Sequence, residues 1–320
     1  MTRNIPRRRF IAISAAALGM GVVGAANASN ETTHRWRGVA LGADAHMTLH
    51  HPDPAAAEKM IAAALAEVRR LERIFSLYHP NSALGRLNAN GKLSMPPPEL
   101  VTLLERARDI SKATNGAFDV TVQPLWHLYA THFADSGADP DGPGPMQLKE
   151  ALNQVDYGNL AVDAREISFT APGMAVTLNG IAQGYITDHV TARLRALGMS
   201  NVLVHMGETL AIGEHPDGRA WRFRMPGGRT AQLRDAAVAT SGIEGFTFDD
   251  AGLHNHILDP RSGLSPTRWR TASVIAQNAT TADALSTAAM LLPAEAVHEL
   301  CRRYNSKLYA RDANGNEFAA

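Results

Sequence analysis

The 320-residue chain has one cysteine, Cys301, so neither a disulfide framework nor a thiolate metal cluster forms within it. Aromatic residues make up only 6%, and no basic stripe interleaved with them runs anywhere, which argues against a nucleic-acid surface. An excess of one charge is missing too, since 31 basic residues face 31 acidic ones. The weakly apolar run from Ile11 to Ala26 carries glycines and falls short of the roughly 20 apolar residues that span a bilayer comfortably.

That run follows Arg7-Arg8-Arg9-Phe10 and ends in Ala26-Asn27-Ala28. A charged region, an apolar region and an A-x-A cleavage site, in that order, make residues 1–28 a removable signal peptide. Paired arginines followed by x-Phe resemble the twin-arginine signal, which exports proteins already folded, often with cofactor bound. An ordinary secretory signal with an incidental arginine cluster is the alternative. Cleavage removes four arginines and no acid, leaving 27 basic against 31 acidic residues over a mature chain of about 290. No cysteine stands directly after the cleavage point, so a periplasmic product without a membrane anchor of its own is expected. Residues 29–320 suffice for one large domain or two intimately packed lobes.

Periodicity predicts a strand near Gly38 to His50, then a helix with Asp53 as N-cap and Pro54 at its first position. Ile61, Leu65, Val68, Leu71, Ile74 and Phe75 recur along it at helical spacing. A second helix starts after Pro96-Pro97-Pro98, carries Leu100, Leu103, Leu104, Ala107 and Ile110, and stops at Asn115-Gly116. From Phe133 to Pro145 the chain is dense in Gly, Pro, Asp and Ser and reads as a surface loop. Short β-like runs at 159–162, 166–170 and 175–178 lead into a helix over about 180–197, closed by Gly198. Further strands are expected at 202–205, 221–225, 237–240 and 272–276, with helices after Thr280 and Pro293. Strands and helices do not alternate regularly, so the fold class is α+β, with mixed sheets and packed helices.

Five segments carry chemistry. In Thr177-Leu178-Asn179-Gly180-Ile181-Ala182-Gln183-Gly184-Tyr185 a strand turns into a helix through two glycines, whose open N–H groups suit a phosphate or, equally, close packing. In Thr280-Thr281-Ala282-Asp283-Ala284-Leu285-Ser286-Thr287, Asp283, Ser286 and Thr287 fall on one helix face. Their hard oxygens suit Mg²⁺; Thr280 and Asp283 also spell an N-cap with an acidic N3 residue, and spacing alone leaves both open. His254-Asn255-His256-Ile257-Leu258-Asp259-Pro260 reads as a short apolar strand with histidines at its mouth, and a histidine there is usually a surface residue. Tyr78, after the helix ending at Phe75, either stacks on a flat ring or packs on its own helix end. The fifth, Asn115-Gly116-Ala117-Phe118-Asp119-Val120-Thr121-Val122, is a helix stop joined to an extended run.

In this order the five segments resemble the FAD:protein FMN transferase family through nearly the whole mature chain. The family's glycine segment usually reads D-x-G-G-I-A-K-G-Y, its histidine segment H-H-I-L-D-P-x-T-G and its metal segment A-D-A-L-x-T. Here the last two stand as Asn255 to Gly263 and Ala282 to Thr287. The resemblance implies that Tyr78 stacks on flavin and that Ala117, Phe118 and Asp119 line the nucleotide site. It implies that Gln183 and Ile257 contact FAD. The Gly180 carbonyl, Asp283 and Thr287 would hold Mg²⁺, with Ser286 where some relatives carry a second carboxylate. Thr177 stands in place of the family's aspartate, and Leu41-Gly42-Ala43 in place of Met-Gly-Thr, which weakens the FAD contacts expected at Thr177 and Leu41. The implied reaction moves FMN from FAD to a threonine hydroxyl of an acceptor protein domain and releases AMP, with His256 and Asp283 as catalytic residues. The alternatives are an FAD pyrophosphatase and a periplasmic flavin-binding protein without turnover.

Overall fold

The computed structural model describes residues 32–320, so the signal-peptide expectation lies outside the described residues. In chain order come β1 (Thr32–Ala40), β2 (Ala43–His51), α1 (Pro54–Phe75), α2 (Ala83–Asn90), β3 (Lys92–Ser94), α3 (Pro98–Ala113) and α4 (Gln123–His132). Then follow α5 (Pro145–Leu152), β4 (Leu160–Val162), β5 (Glu166–Phe169), α6 (Ala182–Ala196), β6 (Val202–Met206), β7 (Thr209–Ile212), β8 (Trp221–Arg224) and β9 (Thr230–Leu233). The chain ends with β10 (Ala236–Gly242), β11 (Trp269–Ala276), α7 (Ala279–Met290), α8 (Ala294–Arg303), β12 (Lys307–Asp312) and β13 (Glu317–Ala319).

Eight strands form one antiparallel sheet in the order β1-β2-β6-β7-β10-β11-β12-β13; β3-β5-β4 and β8-β9 form two small sheets. The fold is α+β, as expected. Strand alternation divides the large sheet's two faces. Val202, Val204, Ala237, Ala239 and Val274 enter the main core beneath α1, α6 and α7, whereas Leu203, Val238 and Ile275 meet Trp221 and Leu233 of the β8-β9 hairpin on the opposite face. No helix among the described residues is long and apolar enough to cross a membrane.

Several expectations stand. Asp53 accepts from the Ala55 N–H at the start of α1, with Pro54 in the first turn, and every apolar position predicted for α3 is buried. Others are corrected. The strand expected over 38–50 is two strands, β1 and β2, joined through Leu41 (φ 46°) and Gly42 (φ 81°). Two successive positive φ values make the type I′ turn that matches strand twist, and leucine is a poor advertisement for it. Residues 175–178 form no strand, because their partners are the Asn88 side chain at Val176 and the single Val120 carbonyl, which accepts from the Thr177 N–H at 2.8 Å. The Asn88 amide donates to the Val176 carbonyl at 2.8 Å, and the Val176 N–H donates to Asn88 Oδ1 at 2.8 Å. The run after Gly116 is not extended: it enters a 3-10 turn at Val120–Val122 and then α4, opened by Pro124. Helix α5 begins where the 133–145 loop ends, at Pro145. No strand covers 254–258, where one isolated bridge joins Thr247 and Asn255.

Candidate active site

At its N-terminal end α6 presses against the start of α7. A Cβ added to Gly184 would lie 2.2 Å from the Ala279 carbonyl oxygen, so only glycine allows the approach. The approach lets α6 reach across to α7 in two places. Asp188 accepts from the N–H groups of Ala279 (2.7 Å) and Thr280 (2.9 Å), while Asn278 accepts from the Thr281 N–H at 2.8 Å. The orphan donors at the start of α7 are thereby satisfied without Asp283. The N-cap is Asn278, not Thr280, which overturns the capping reading of Asp283.

Asp283 instead accepts from the Gly184 N–H at 3.0 Å and is buried. Burial pushes its carboxyl up to about 7; the Gly184 N–H opposes the rise and the Asp188 charge adds to it. Among the described residues no lysine or arginine compensates it. A buried carboxylate without a cation either takes a proton or recruits a positive ligand. Beside it, Thr287 Oγ1 faces Gly180, where a Cβ would come within 3.0 Å of it. One carboxylate, a hydroxyl and a nearby backbone carbonyl are hard oxygen donors of the kind Mg²⁺ takes, together with substrate phosphates. Among the described residues no three His, Cys, Asp or Glu side chains gather into a metal cluster.

These groups face an open cleft of about 990 Å³ including its mouth. Ala117, Phe118, Asp119, Thr177, Gly180, Gln183, His256, Ile257, Asp283 and Thr287 all line it. Segments separated by up to 170 residues of sequence are thus brought to one cavity. Leu41, Tyr78 and Ser286 do not line it. Leu41 sits in the β1-β2 turn with its N–H on Glu72 Oε1 at 2.8 Å, Tyr78 is half-exposed beyond α1, and Ser286 is buried behind the wall. Asp119 lines the cleft with its oxygens already engaged by Thr121 and by the Tyr157 N–H. Gln183 is buried against Gly207, whose φ of 98° and lack of a Cβ leave room for the amide.

His256 is half-buried rather than a surface residue. Its Nδ1 lies 2.9 Å from the Phe246 carbonyl, which can only accept, so the proton sits on Nδ1 and the Nε2 lone pair is free. Burial favours the neutral imidazole and lowers the ring's pKa, against a smaller opposing effect of that hydrogen bond.

Sequence reasoning missed Glu208, Trp126 and Ser241, which also line the cleft. Glu208 is buried, accepts a backbone hydrogen bond from Thr240, and is pushed well above the usual carboxylate range by burial and by the Asp283 charge. The signal for it was Met206-Gly207-Glu208-Thr209, a two-residue hairpin turn with glycine first, which places Glu208 at a strand end. Trp126 had no local signal; it packs at 5.4 Å from Phe248 as part of an aromatic wall built by α4 and residues 246–258.

A model of the ApbE family matches residues 41–311. The chain belongs to the ApbE family. The family is that of the FAD:protein FMN transferases, which transfer a phosphorus-containing group. The Treponema pallidum FAD:protein FMN transferase is 32% identical over 277 residues, covering 76% of this chain and 75% of the relative. That of Haemophilus influenzae is 29% identical over 263 residues, covering 76% and 75%. The apo crystal structure of Pseudomonas stutzeri flavinyl transferase ApbE superposes with a TM-score of 0.80 at 25% identity, over 92% of this chain and 97% of that one. Vibrio cholerae flavin transferase ApbE shares the fold, with a TM-score of 0.77 at 24% identity. The glycine, histidine and metal segments of this ApbE-family chain all lie within the matched span.

Proposed function

We propose that this ApbE-family protein transfers FMN from FAD to a threonine hydroxyl of an acceptor protein domain, in a Mg²⁺-dependent reaction that releases AMP. The observation that carries the reading is the burial of Asp283 in the wall of the cleft, beside Thr287 and Gly180 and without a protein cation to compensate it. Asp283, Thr287 and the Gly180 carbonyl would hold Mg²⁺, which, when bound, neutralises pyrophosphate charge. The N–H groups expected to be open at this turn are engaged, those of Ile181 and Ala182 by the Leu178 carbonyl and that of Gly184 by Asp283, so Gly184 serves helix packing and not phosphate binding. Gln183, Ile257, Phe118 and the aromatic wall at Trp126 bind and orient FAD, and Thr177 contributes a hydroxyl at the cleft surface.

In the reaction the threonine oxygen bonds to the FMN phosphorus as the bond from that phosphorus to the bridging oxygen breaks, and AMP leaves with that oxygen. The hydroxyl proton goes to His256 Nε2, the lone pair that the Phe246 carbonyl leaves free. The family resemblance and the basic-apolar-small order of residues 1–28 support export to the periplasm by the twin-arginine route, where a redox protein would be the acceptor. Incubation with FAD and Mg²⁺, with and without an acceptor domain, tests the chemistry. Flavin fixed covalently to the acceptor supports the proposal; free FMN with an unlabelled acceptor makes the protein a pyrophosphatase, and unchanged FAD makes it a binding protein.

A further inference from the structure

In the wall that carries Asp283, the hydroxyls of Thr287 and Ser241, which line the cleft, meet that of Ser286 behind them. Ser286 Oγ donates to the Asp283 carbonyl at 2.9 Å, Ser241 Oγ lies 2.8 Å from Ser286 Oγ, and Ser241 Oγ lies 3.2 Å from Thr287 Oγ1. Each hydroxyl owns one proton. The carbonyl can only accept, so the Ser286 proton is committed to it. Ser241 must then donate to Ser286, and Thr287 must donate to Ser241. No other arrangement of three protons makes all three bonds.

The direction of this chain decides what Thr287 offers the cleft. Its proton points back to Ser241, which leaves its lone pairs for the side on which a Cβ at Gly180 would come within 3.0 Å of it. A neutral hydroxyl that ligates a cation keeps its proton and needs an acceptor away from the cation. Ser241 supplies that acceptor, held in place at the end of β10 by pairing with Ala272 of β11. We infer that Ser241 is a positioning residue that presents the Thr287 hydroxyl as a cation ligand, acting through the relay from Thr287 to Ser241 to Ser286 to the Asp283 carbonyl. The inference rests on the Mg²⁺ reading above. It also gives buried Ser286 a role one step back from the cation.

Mn²⁺ binding, followed by the loss of the free-ion electron paramagnetic resonance signal, tests this without turnover. Ser241→Ala should raise the Mn²⁺ dissociation constant about 10-fold or more, the scale set by loss of an outer-shell partner. Its melting temperature should stay within a few degrees of wild type, and Ser241→Thr, which keeps the hydroxyl, should bind within about threefold of wild type. If Ser241→Ala fails to fold, Ser241→Cys carries the same expectation, because a thiol sulfur is a weak acceptor of similar shape. Wild-type affinity in Ser241→Ala or Ser241→Cys overturns the inference alone, as does equal weakening in Ser241→Thr, which would mean that packing and not the hydroxyl matters. Failure of the wild-type protein to bind Mn²⁺ overturns the Mg²⁺ reading together with it.

Discussion

The backbone N–H of Gly184, in the first turn of α6, donates to the Asp283 carboxylate of α7 at 3.0 Å. Two residues 99 positions apart in sequence thereby lock α6 to α7 in the wall of the cleft. The glycine serves twice, since its missing side chain admits the Ala279 carbonyl and its N–H orients the carboxylate.

Replacing Gly184 should therefore harm fold and site together. In Gly184→Ala the new methyl meets backbone atoms of Ala279 and Thr280, which cannot rotate aside. A loss of about 3 kcal/mol is expected, the upper end for overpacking. For a chain of this size that is a fall of roughly 6–12 °C in melting temperature. Calorimetry showing an unchanged transition would mean that the helices separate at no cost.

How much of this was legible in the sequence depends on how local the cause is. Helices α1 and α3 are legible because their prolines and periodic apolar residues lie within a few positions of one another. The split of β1 from β2 is not, because Leu41 adopts a left-handed conformation that glycine or asparagine would normally announce. Residues 175–178 look like a strand and are held like one, but by an Asn88 amide 88 positions away. At Asp283 the spacing fitted a cap and a ligand alike; what decides is Asp188 on another helix, which satisfies the donors that Asp283 would otherwise have capped. Fold class was thus readable and cleft membership only in part, since Leu41, Tyr78 and Ser286 stay outside the cleft while Glu208, Trp126 and Ser241 line it. Which oxygen bonds which donor was not.

His256 should act through its chemistry and not its bulk. His256→Gln keeps a polar side chain of similar size but cannot take up a proton, so transfer should fall about 10²–10⁴-fold with little change in FAD affinity. The same assignment fixes the acid limb of the wild-type pH profile. The imidazole must be neutral to accept a proton, and burial lowers its pKa, so the loss of activity due to His256 protonation lies on the acid side of the ordinary imidazole value. Single-turnover transfer measured from about pH 5 to pH 8 checks both points.

Two other buried histidines should make the fold sensitive to acid. Burial lowers His205 to about 3, with the His46 ring stacked on it at 4.6 Å, and burial lowers His50 to about 4 with a contribution from His215. The unfolded chain takes up these protons near the ordinary value of 6.5, before the folded chain does. The stability they contribute is therefore fully present above about pH 6.5 and is lost as pH falls toward their folded values. Melting temperature should drop by several degrees between about pH 7 and pH 5, and His205→Leu should flatten that slope. An equally steep decline in the variant would move the cause elsewhere.

Asp283→Asn separates the chemical role of the carboxylate from its structural one. Asparagine is nearly isosteric and its Oδ1 can still accept from the Gly184 N–H, so the junction between α6 and α7 should hold. What is lost is the full negative charge. Because that charge is buried without a protein cation, removing it relieves a desolvation cost, and the metal-free variant should melt no lower than wild type. Mg²⁺ sheds its water reluctantly and normally requires at least one carboxylate, so cation binding and FMN transfer should both disappear. A helix-cap role would reverse the pattern, lowering stability by about 0.5–2 kcal/mol while leaving transfer intact. Titration calorimetry with Mg²⁺, thermal melting and transfer to an acceptor on one preparation decide between the two. A variant that melts early yet transfers FMN normally would remove Asp283 from the cation site.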